Sequence, residues 1–364
     1  MINRKQTRKI RIKDIFIGGD APVMVQSMTN TATKDIASTV NQIREMEEAG
    51  CELVRLGVPD MESAKALKDI VASTKLPVAA DIHFDVDLAY EAIKSGVHKL
   101  RINPGNLRNR DEVRGLARAA KAAGIPIRIG VNAGSLDPEI HRQYGKICAE
   151  ALVESASREI ELLNEAEFDD IVISLKASSV PLCVEAYRIM AEKYDYPLHI
   201  GITEAGTRTF GAIKSAAGLG ILLYGGIGDT LRVSLTDNPV IEVQAAWDIL
   251  KALEIRTRGP VLVSCPTCAR TEIDVINLAQ KVEEMTRSIP YPIKLAVMGC
   301  VVNGPGEAKE ADVGIAGGKG KAVIFRSGIK VKITDESQML EAFMEEVENF
   351  IQERGLNSHI STQK

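Results

Sequence analysis

From Pro22 to Leu253 the apolar and polar positions repeat one arrangement: a short β-branched run, a polar loop, then a stretch with apolar residues three and four apart. The runs are VMVQS (23–27), ELVRLG (52–57), PVAADIH (77–83), KLRIN (99–103), PIRIGVN (126–132), DIVISLKA (170–177), LHIGITEAG (198–206) and TLRVSLT (230–236). Runs of this kind predict strands, and the spacing in DIASTVNQIREMEEAG or MESAKALKDIVAS predicts helices packed on a sheet. Eight strand–helix units over about 230 residues fit a (β/α)8 TIM-type barrel. A doubly wound sheet is the alternative, because a linear pattern does not reveal closure. GSLDPEIHRQYGKICAE (134–150) reads as a longer loop after the fifth strand. Such loops on the strand-end face of a barrel tend to carry function.

The pattern changes after EIRTRGP (254–260). VLVSC, the helical EIDVINLAQKVEEMTRS, KLAVMGC, DVGIAGG, KAVIFRSG, KVKIT and the helical DESQMLEAFMEEVENFIQERG put most strands together with few helices, which predicts a small α+β domain. The expected division is a barrel over 1–255, a second domain over 256–356 and a disordered tail over 357–364. The glycine runs GLGILLYGGIGD and AGGKG lack a full phosphate-loop fingerprint and read as tight turns.

The chain has 364 residues, 45% of them hydrophobic, and a net charge of −4. That balance gives no basic footprint for nucleic acid. The start, MINRKQTRKIRIKD, lacks the apolar stretch of an export signal, and no run of about 18 apolar residues would span a bilayer. A cytoplasmic protein without a membrane role is expected. Six cysteines in such a chain point away from a disulfide framework and toward metal or redox chemistry.

Cys51, Cys148 and Cys183 fall in amphipathic stretches or just before a strand and read as packing residues. Cys265 and Cys268 in SCPTCART, and Cys300 in KLAVMGC, each follow an apolar strand. Three thiolates do not saturate a structural zinc site, and no histidine lies between Gly201 and Asn357 to complete one. An iron–sulfur cluster with one unusual ligand or an open iron fits the count. Glu307, seven residues beyond Cys300 and preceded by Gly304, Pro305 and Gly306, is the candidate ligand. An exposed carboxylate at a helix start is the other reading.

In a barrel, chemistry sits at the carboxyl ends of the strands. Those ends carry Arg55, Asp81 with His83, Arg101 with Asn103, Arg128 with Asn132, Lys176, Glu204, and Arg232 with Ser234. Five cations from five strands would repel one another without an anion between them. A ligand with phosphate groups, which arginine grips through paired N–H donors, is the expected partner. His98, His141 and His199 read as packing or hydrogen-bonding residues.

RINPGN, RIGVN, SLKAS, GITEAG, SCPTCAR and MGCVVNGPGEA, in chain order, resemble the 4-hydroxy-3-methylbut-2-enyl diphosphate synthase family in its short two-domain form, and the resemblance covers nearly the whole chain. The resemblance implies reductive ring-opening and dehydration of 2-C-methyl-D-erythritol 2,4-cyclodiphosphate in the methylerythritol phosphate route to isoprenoids. It also implies a [4Fe-4S] cluster on Cys265, Cys268, Cys300 and Glu307. By the same carry-over Arg55, Arg101, Arg128, Asn132, Lys176, Arg232 and Ser234 hold the diphosphate and hydroxyls, with Asn103 and Asn303 counted in the substrate-binding set and Glu204 near the reacting carbons. Proton delivery stays open among Glu204, Glu307 and His83, with Asp81 beside His83 in the catalytic group. Because a cluster passes single electrons, ferredoxin or flavodoxin is the expected donor. The alternative is a barrel that binds a phosphorylated ligand and carries a structural or redox-sensing cluster. The eighth helix, roughly 239–253, covers about 20 Å back toward the opposite face, and EIRTRGP spans at most about 25 Å. A head-to-tail homodimer that shares its active sites between chains is therefore expected.

Overall fold

The first strands are ones the sequence reading above leaves out. In the computed structural model, which describes residues 2–83, 85–103, 109–300 and 304–355, β1 (Ile10–Ile12) and β2 (Ile15–Ile17) pair as an antiparallel hairpin. The alternation in IRIKDIFI carries the signal, and Lys13 turns the chain at φ 55°. Ile10, Ile12 and Ile17 pack on Met24, Leu53, Ala79 and Val172, residues at the starts of barrel strands. The hairpin thus plugs the amino-terminal end of the barrel, each buried isoleucine contributing roughly 1.5–3 kcal/mol.

Eight parallel strands follow: β3 (Met24–Met28), β4 (Leu53–Gly57), β5 (Val78–Asp81), β6 (Lys99–Ile102), β7 (Ile127–Asn132), β8 (Ile171–Lys176), β9 (His199–Ile200) and β10 (Thr230–Leu231). Their order in the sheet is β8-β7-β6-β5-β4-β3-β10-β9. A parallel bridge between Ile173 and Leu198 joins the two outer strands and closes the barrel. The doubly wound alternative is thereby excluded. β9 and β10 are far shorter than LHIGITEAG and TLRVSLT predict. Past Ile200 the chain leaves extended geometry, with Glu204 at φ 52° and Gly206 at φ 115°. These stretches become loops of the mouth.

Helices alternate with the strands, several of them started by side chains that accept a backbone N–H: Asp35 from Ser38, Asp60 from Ser63, and Asn238 from Val240 ahead of the helix Pro239–Ala252. The segment expected as a long loop instead holds a short helix, Pro138–Tyr144, before the helix Ala149–Glu165. Of the glycines in GLGILLYGGIGD, Gly218 is helical rather than in a turn, and a Cβ there would stand 2.6 Å from Ile202 Cδ1. Gly226 and Gly228 do turn the chain, at φ 78° and 125°.

The chain divides at Arg256. The second unit is a five-stranded sheet ordered β11 (Pro260–Ser264), β12 (Ile293–Met298), β13 (Val313–Gly318), β14 (Lys321–Arg326) and β15 (Ile329–Asp335). The first three strands run parallel and the last two pairings are antiparallel. The helices Val275–Thr286 and Met339–Glu353 bury Leu278, Val282, Phe343 and Val347 with Leu295 and Ile315 of the sheet. A further cluster gathers Ala296, Met298, Ala316 and Phe325 with Ala308 of the short helix Gly304–Lys309. In AGGKG, Lys319 and Gly320 both take positive φ between β13 and β14, as a two-residue hairpin turn requires. The tail expected to be disordered, 357–364, lies outside the described residues.

Candidate active site

Side chains alternate across a strand, so residues two apart share the barrel interior. Such interiors are ordinarily filled by branched apolar side chains. Here Gln26, Arg55, Asp81, Lys99, Arg101, Arg128, Lys176 and His199 are all buried, and an unusually polar interior results. Asp81 organises its upper part. Arg101 Nη1 donates to Asp81 Oδ1 at 2.8 Å, and Arg55 Nε stands 3.5 Å from Oδ2. Burial alone would raise the Asp81 carboxyl, but Arg55, the hydrogen bond from His83 and Arg101 together hold it well below the ordinary carboxylate range. Asp81 therefore stays ionised and cannot deliver a proton at neutral pH. His83 lies 3.2 Å from Arg101 Nη1 and 3.5 Å from Asp81 Oδ1 with its side chain 44% exposed.

Arg101 needs space that its neighbours lack side chains to fill. A Cβ on Gly130 would sit 2.5 Å from Arg101 Nε, and one on Gly201 would sit 3.0 Å from Lys176 Nζ. Burial and the surrounding arginines hold the Lys176 ammonium well below its usual value, and burial brings Arg55 down to about 10. Arg128 is 1% exposed, and its Nε and Nη1 have no hydrogen-bond partner among the described residues. Arg232, just past β10, is held by Glu242 through bonds of 3.0–3.2 Å. Glu242 is an acceptor the sequence reading misses, because it lies on a helix and not on a strand. Met28 is missed as well: its sulfur accepts from Arg55 at 2.9 and 3.1 Å and lies 3.7 Å from Arg232.

The remaining strand-end residues are more varied. Asn103 is buried beyond β6, and Asn132 ends β7 half-buried. Ser234 is half-buried beyond β10. Glu204 is exposed on the loop after β9. Among the other histidines, His199 Nδ1 meets Thr230 Oγ1 at 2.8 Å, and His98 Nδ1 accepts from Val78 N–H at 3.0 Å.

In the second unit, Ser264 at the end of β11 is in register with Val297 of β12. Cys265 and Cys300 thus leave neighbouring parallel strands at the same sheet end. Cys265 Sγ accepts from the Gly299 N–H at 3.2 Å, and a Cβ on Gly299 would stand 3.5 Å from that sulfur. Cys268 is exposed, and hydrogen bonds from Arg270 lower its thiol. An N–H aimed at one sulfur and a lowered thiol beside it suit thiolate ligands. Among the described residues no three His, Cys, Asp or Glu side chains stand close enough to hold a single metal ion. Glu307 belongs to the helix Gly304–Lys309, and Asn303 lies outside the described residues. Cys51 and Cys183 are buried in the barrel, their thiols pushed up to about 12 and about 11 by burial, and Cys148 caps the helix Ala149–Glu165.

A family model described as the GcpE TIM-barrel domain matches residues 7–247, and one described as the GcpE protein C-terminal domain matches 261–349. A relative from Caldanaerobacter subterraneus subsp. tengcongensis, named 4-hydroxy-3-methylbut-2-en-1-yl diphosphate synthase (flavodoxin), is 55% identical over 96% of this chain and 99% of its own. A relative of the same name from Clostridium perfringens is 54% identical over 95% and 99%. Among solved structures, the wild-type HPPK-DHPS of Plasmodium falciparum has a TM-score of 0.50 at 14% identity, over 68% of this chain and 50% of that one, a likeness of fold alone.

Proposed function

Because the chain belongs to the GcpE family, we propose that it makes 4-hydroxy-3-methylbut-2-enyl diphosphate by reductive ring-opening and dehydration of 2-C-methyl-D-erythritol 2,4-cyclodiphosphate. The observation that carries this reading is the gathering of Arg55, Arg101, Arg128 and Lys176 inside one barrel, with Asp81 pairing only the first two. Cations buried in such excess call for an anion of more than one charge. Asn132, Arg232 and Ser234 complete the grip on phosphates and hydroxyls, with Asn103 and Asn303 as further contacts. Asp81 fixes Arg101 and orients His83, which leaves His83, Glu204 and Glu307 to deliver protons.

Cys265, Cys268, Cys300 and Glu307 hold a [4Fe-4S] cluster in this reading. When bound, the cluster supplies two electrons one at a time and Lewis-acid pull on an oxygen. Flavodoxin, printed in the relatives' names, is the donor. The chain acts in the cytoplasm; no described helix is long and apolar enough to cross a membrane. In this reading the barrel, 1–255, takes the substrate and the second domain, 256–356, carries the cluster. The active unit is a head-to-tail homodimer in which each second unit serves the partner's barrel. What supports this is the exit of the chain from its barrel. Arg256 donates to the Val23 carbonyl at 2.7 Å and pairs with both Glu52 oxygens at 2.8 Å. Both residues directly precede strands, so the chain leaves at the face opposite the mouth.

The test is spectroscopic. Anaerobically purified protein should absorb broadly near about 400 nm, and added cyclodiphosphate should change that spectrum. Colour that ignores the cyclodiphosphate would leave a phospholigand barrel with a structural or redox-sensing cluster.

A further inference from the structure

Below the ion pairs of the mouth the barrel interior holds a lysine that the proposed reaction leaves unused. Lys99 begins β6 one inward step beneath Arg101 and is in register with Ala79 of β5. It is 1% exposed, and its Nζ has no hydrogen-bond partner among the described residues. The Nε and Nη1 of Arg128, both polar atoms of the Gln26 side chain and Nε2 of His199 are also buried without partners. A buried polar atom left alone is costly, and several inside one barrel mark a place where something else is accommodated.

The charged groups around Lys99 are nearly all positive. Arg128 of β7 and Arg55 of β4 bear on it most strongly. β8 carries Lys176, and β9 carries His199, which burial keeps neutral. From β5 comes Asp81, already paired with Arg101 and Arg55; Arg232 has its own partner in Glu242. β3 contributes the neutral Gln26, and the hairpin beneath offers Ile10, Ile12 and Ile17. Guanidinium groups keep their protons in such company, whereas a lysine readily gives its proton up. Burial, followed by Arg128 and Arg55, holds the Lys99 ammonium well below its usual value.

We propose that Lys99 is a positioning residue for the anion site: it stands neutral in the unliganded barrel and takes up one proton from solvent when a diphosphate settles on the arginines above it. The inference rests on the reading of the barrel mouth as a diphosphate site. The incoming negative charge offsets Arg55 and Arg128, so the charged form of Lys99 becomes favourable. Uptake of one proton on binding makes the dissociation constant rise with pH, by about tenfold per pH unit between the unliganded and liganded titrations of Lys99.

The experiment is calorimetric titration of the oxidised, donor-free holoprotein with the cyclodiphosphate, and separately with inorganic pyrophosphate, in buffers of different ionisation heat. Above neutral pH each phosphate of the cyclic compound has lost its only proton, so protons taken up belong to the protein. Wild type should take up about one proton per cyclodiphosphate near about pH 8, and Lys99→Met should take up about one fewer. The pH dependence of its dissociation constant should flatten by about tenfold per unit. Equal proton counts in the two proteins, or none in wild type, would overturn the proposal while leaving the diphosphate site standing. If Lys99→Met does not fold, Lys99→Gln is titrated in its place, with the same loss of about one proton expected. Failure of wild type to bind either anion would overturn the diphosphate reading, and this proposal with it.

Discussion

Inside the barrel, Arg101 is tied to Asp81 at 2.8 Å and to the Gly130 carbonyl at 3.2 Å, and Arg232 is gripped by Glu242. At the end of β11 and β12 the conditions are reversed: Cys268 is exposed, and Cys265 Sγ is fixed by an N–H from Gly299. Both units use parallel strands to deliver functional side chains to one edge. Folding positions these cations, because burial settles Arg128 and pairing with a carboxylate settles Arg55, Arg101 and Arg232. Cys268 is the cysteine whose final geometry a bound group would define, since an exposed side chain is free to rearrange. Losing a cysteine should therefore remove the chemistry outright, whereas losing a cation should only weaken a grip.

The largest effect is expected from Cys300→Ser. Without the third thiolate the protein should lose its broad absorption near about 400 nm and all measurable turnover. Retained colour and iron would show that the second unit does not depend on Cys300.

Asp81→Asn tests the opposite property of the barrel. Removing this carboxylate leaves Arg55 and Arg101 facing Arg128 with no counter-charge, a change that should cost about 3–5 kcal/mol of stability. The folded-state value of Asp81 lies below its unfolded one. Its contribution is therefore present above about pH 4 and lost as pH falls through the folded value. Denaturant unfolding should separate wild type from Asp81→Asn at pH near 7 and bring them together in acid. Equal stability at neutral pH would mean that the cations are not held by this carboxylate.

The same contrast explains what the sequence makes readable. The barrel strands announce themselves because buried parallel strands are continuous apolar runs, and Arg55, Arg101 and Lys176 stand out within them. Glu242 and Met28 escape notice: one comes from a helix and the other is apolar, and only the closed barrel brings them to Arg232 and Arg55. Lys99 escapes because it sits at a strand start, where a lysine in a linear sequence looks like a rim residue. The hairpin of β1 and β2 is hidden by the basic residues interleaved with its isoleucines. In the second unit, SCPTC and MGC declare their chemistry through spacing, but which sulfurs meet depends on the register of β11 with β12.

Glu307→Ala should fall between the two extremes. Three thiolates remain to hold iron, so the colour should persist while activity drops by about 100-fold, the scale for losing a proton donor or labile ligand. An unchanged rate would return Glu307 to the reading of an exposed helix-start carboxylate.

The smallest single effect is expected from Lys176→Ala, and it also offers the sharpest test of how the units cooperate. One lost charged hydrogen bond should weaken substrate binding by about 1.5–3 kcal/mol, with iron content and colour unchanged. An unaltered Michaelis constant would mean that Lys176 serves the fold alone. Mixing this variant with Cys300→Ser, under conditions that exchange subunits and at substrate concentrations too low for Lys176→Ala to turn over well, then asks whether a site draws on two chains. In a mixed dimer one site would join the intact barrel of the Cys300→Ser chain to the intact cysteines of the Lys176→Ala chain, and the other would combine both defects. Random exchange between equal amounts should restore about a quarter of wild-type activity. If mixed dimers form and activity does not return, each active site is built within one chain, and the exit of the chain at the far face of the barrel needs another explanation.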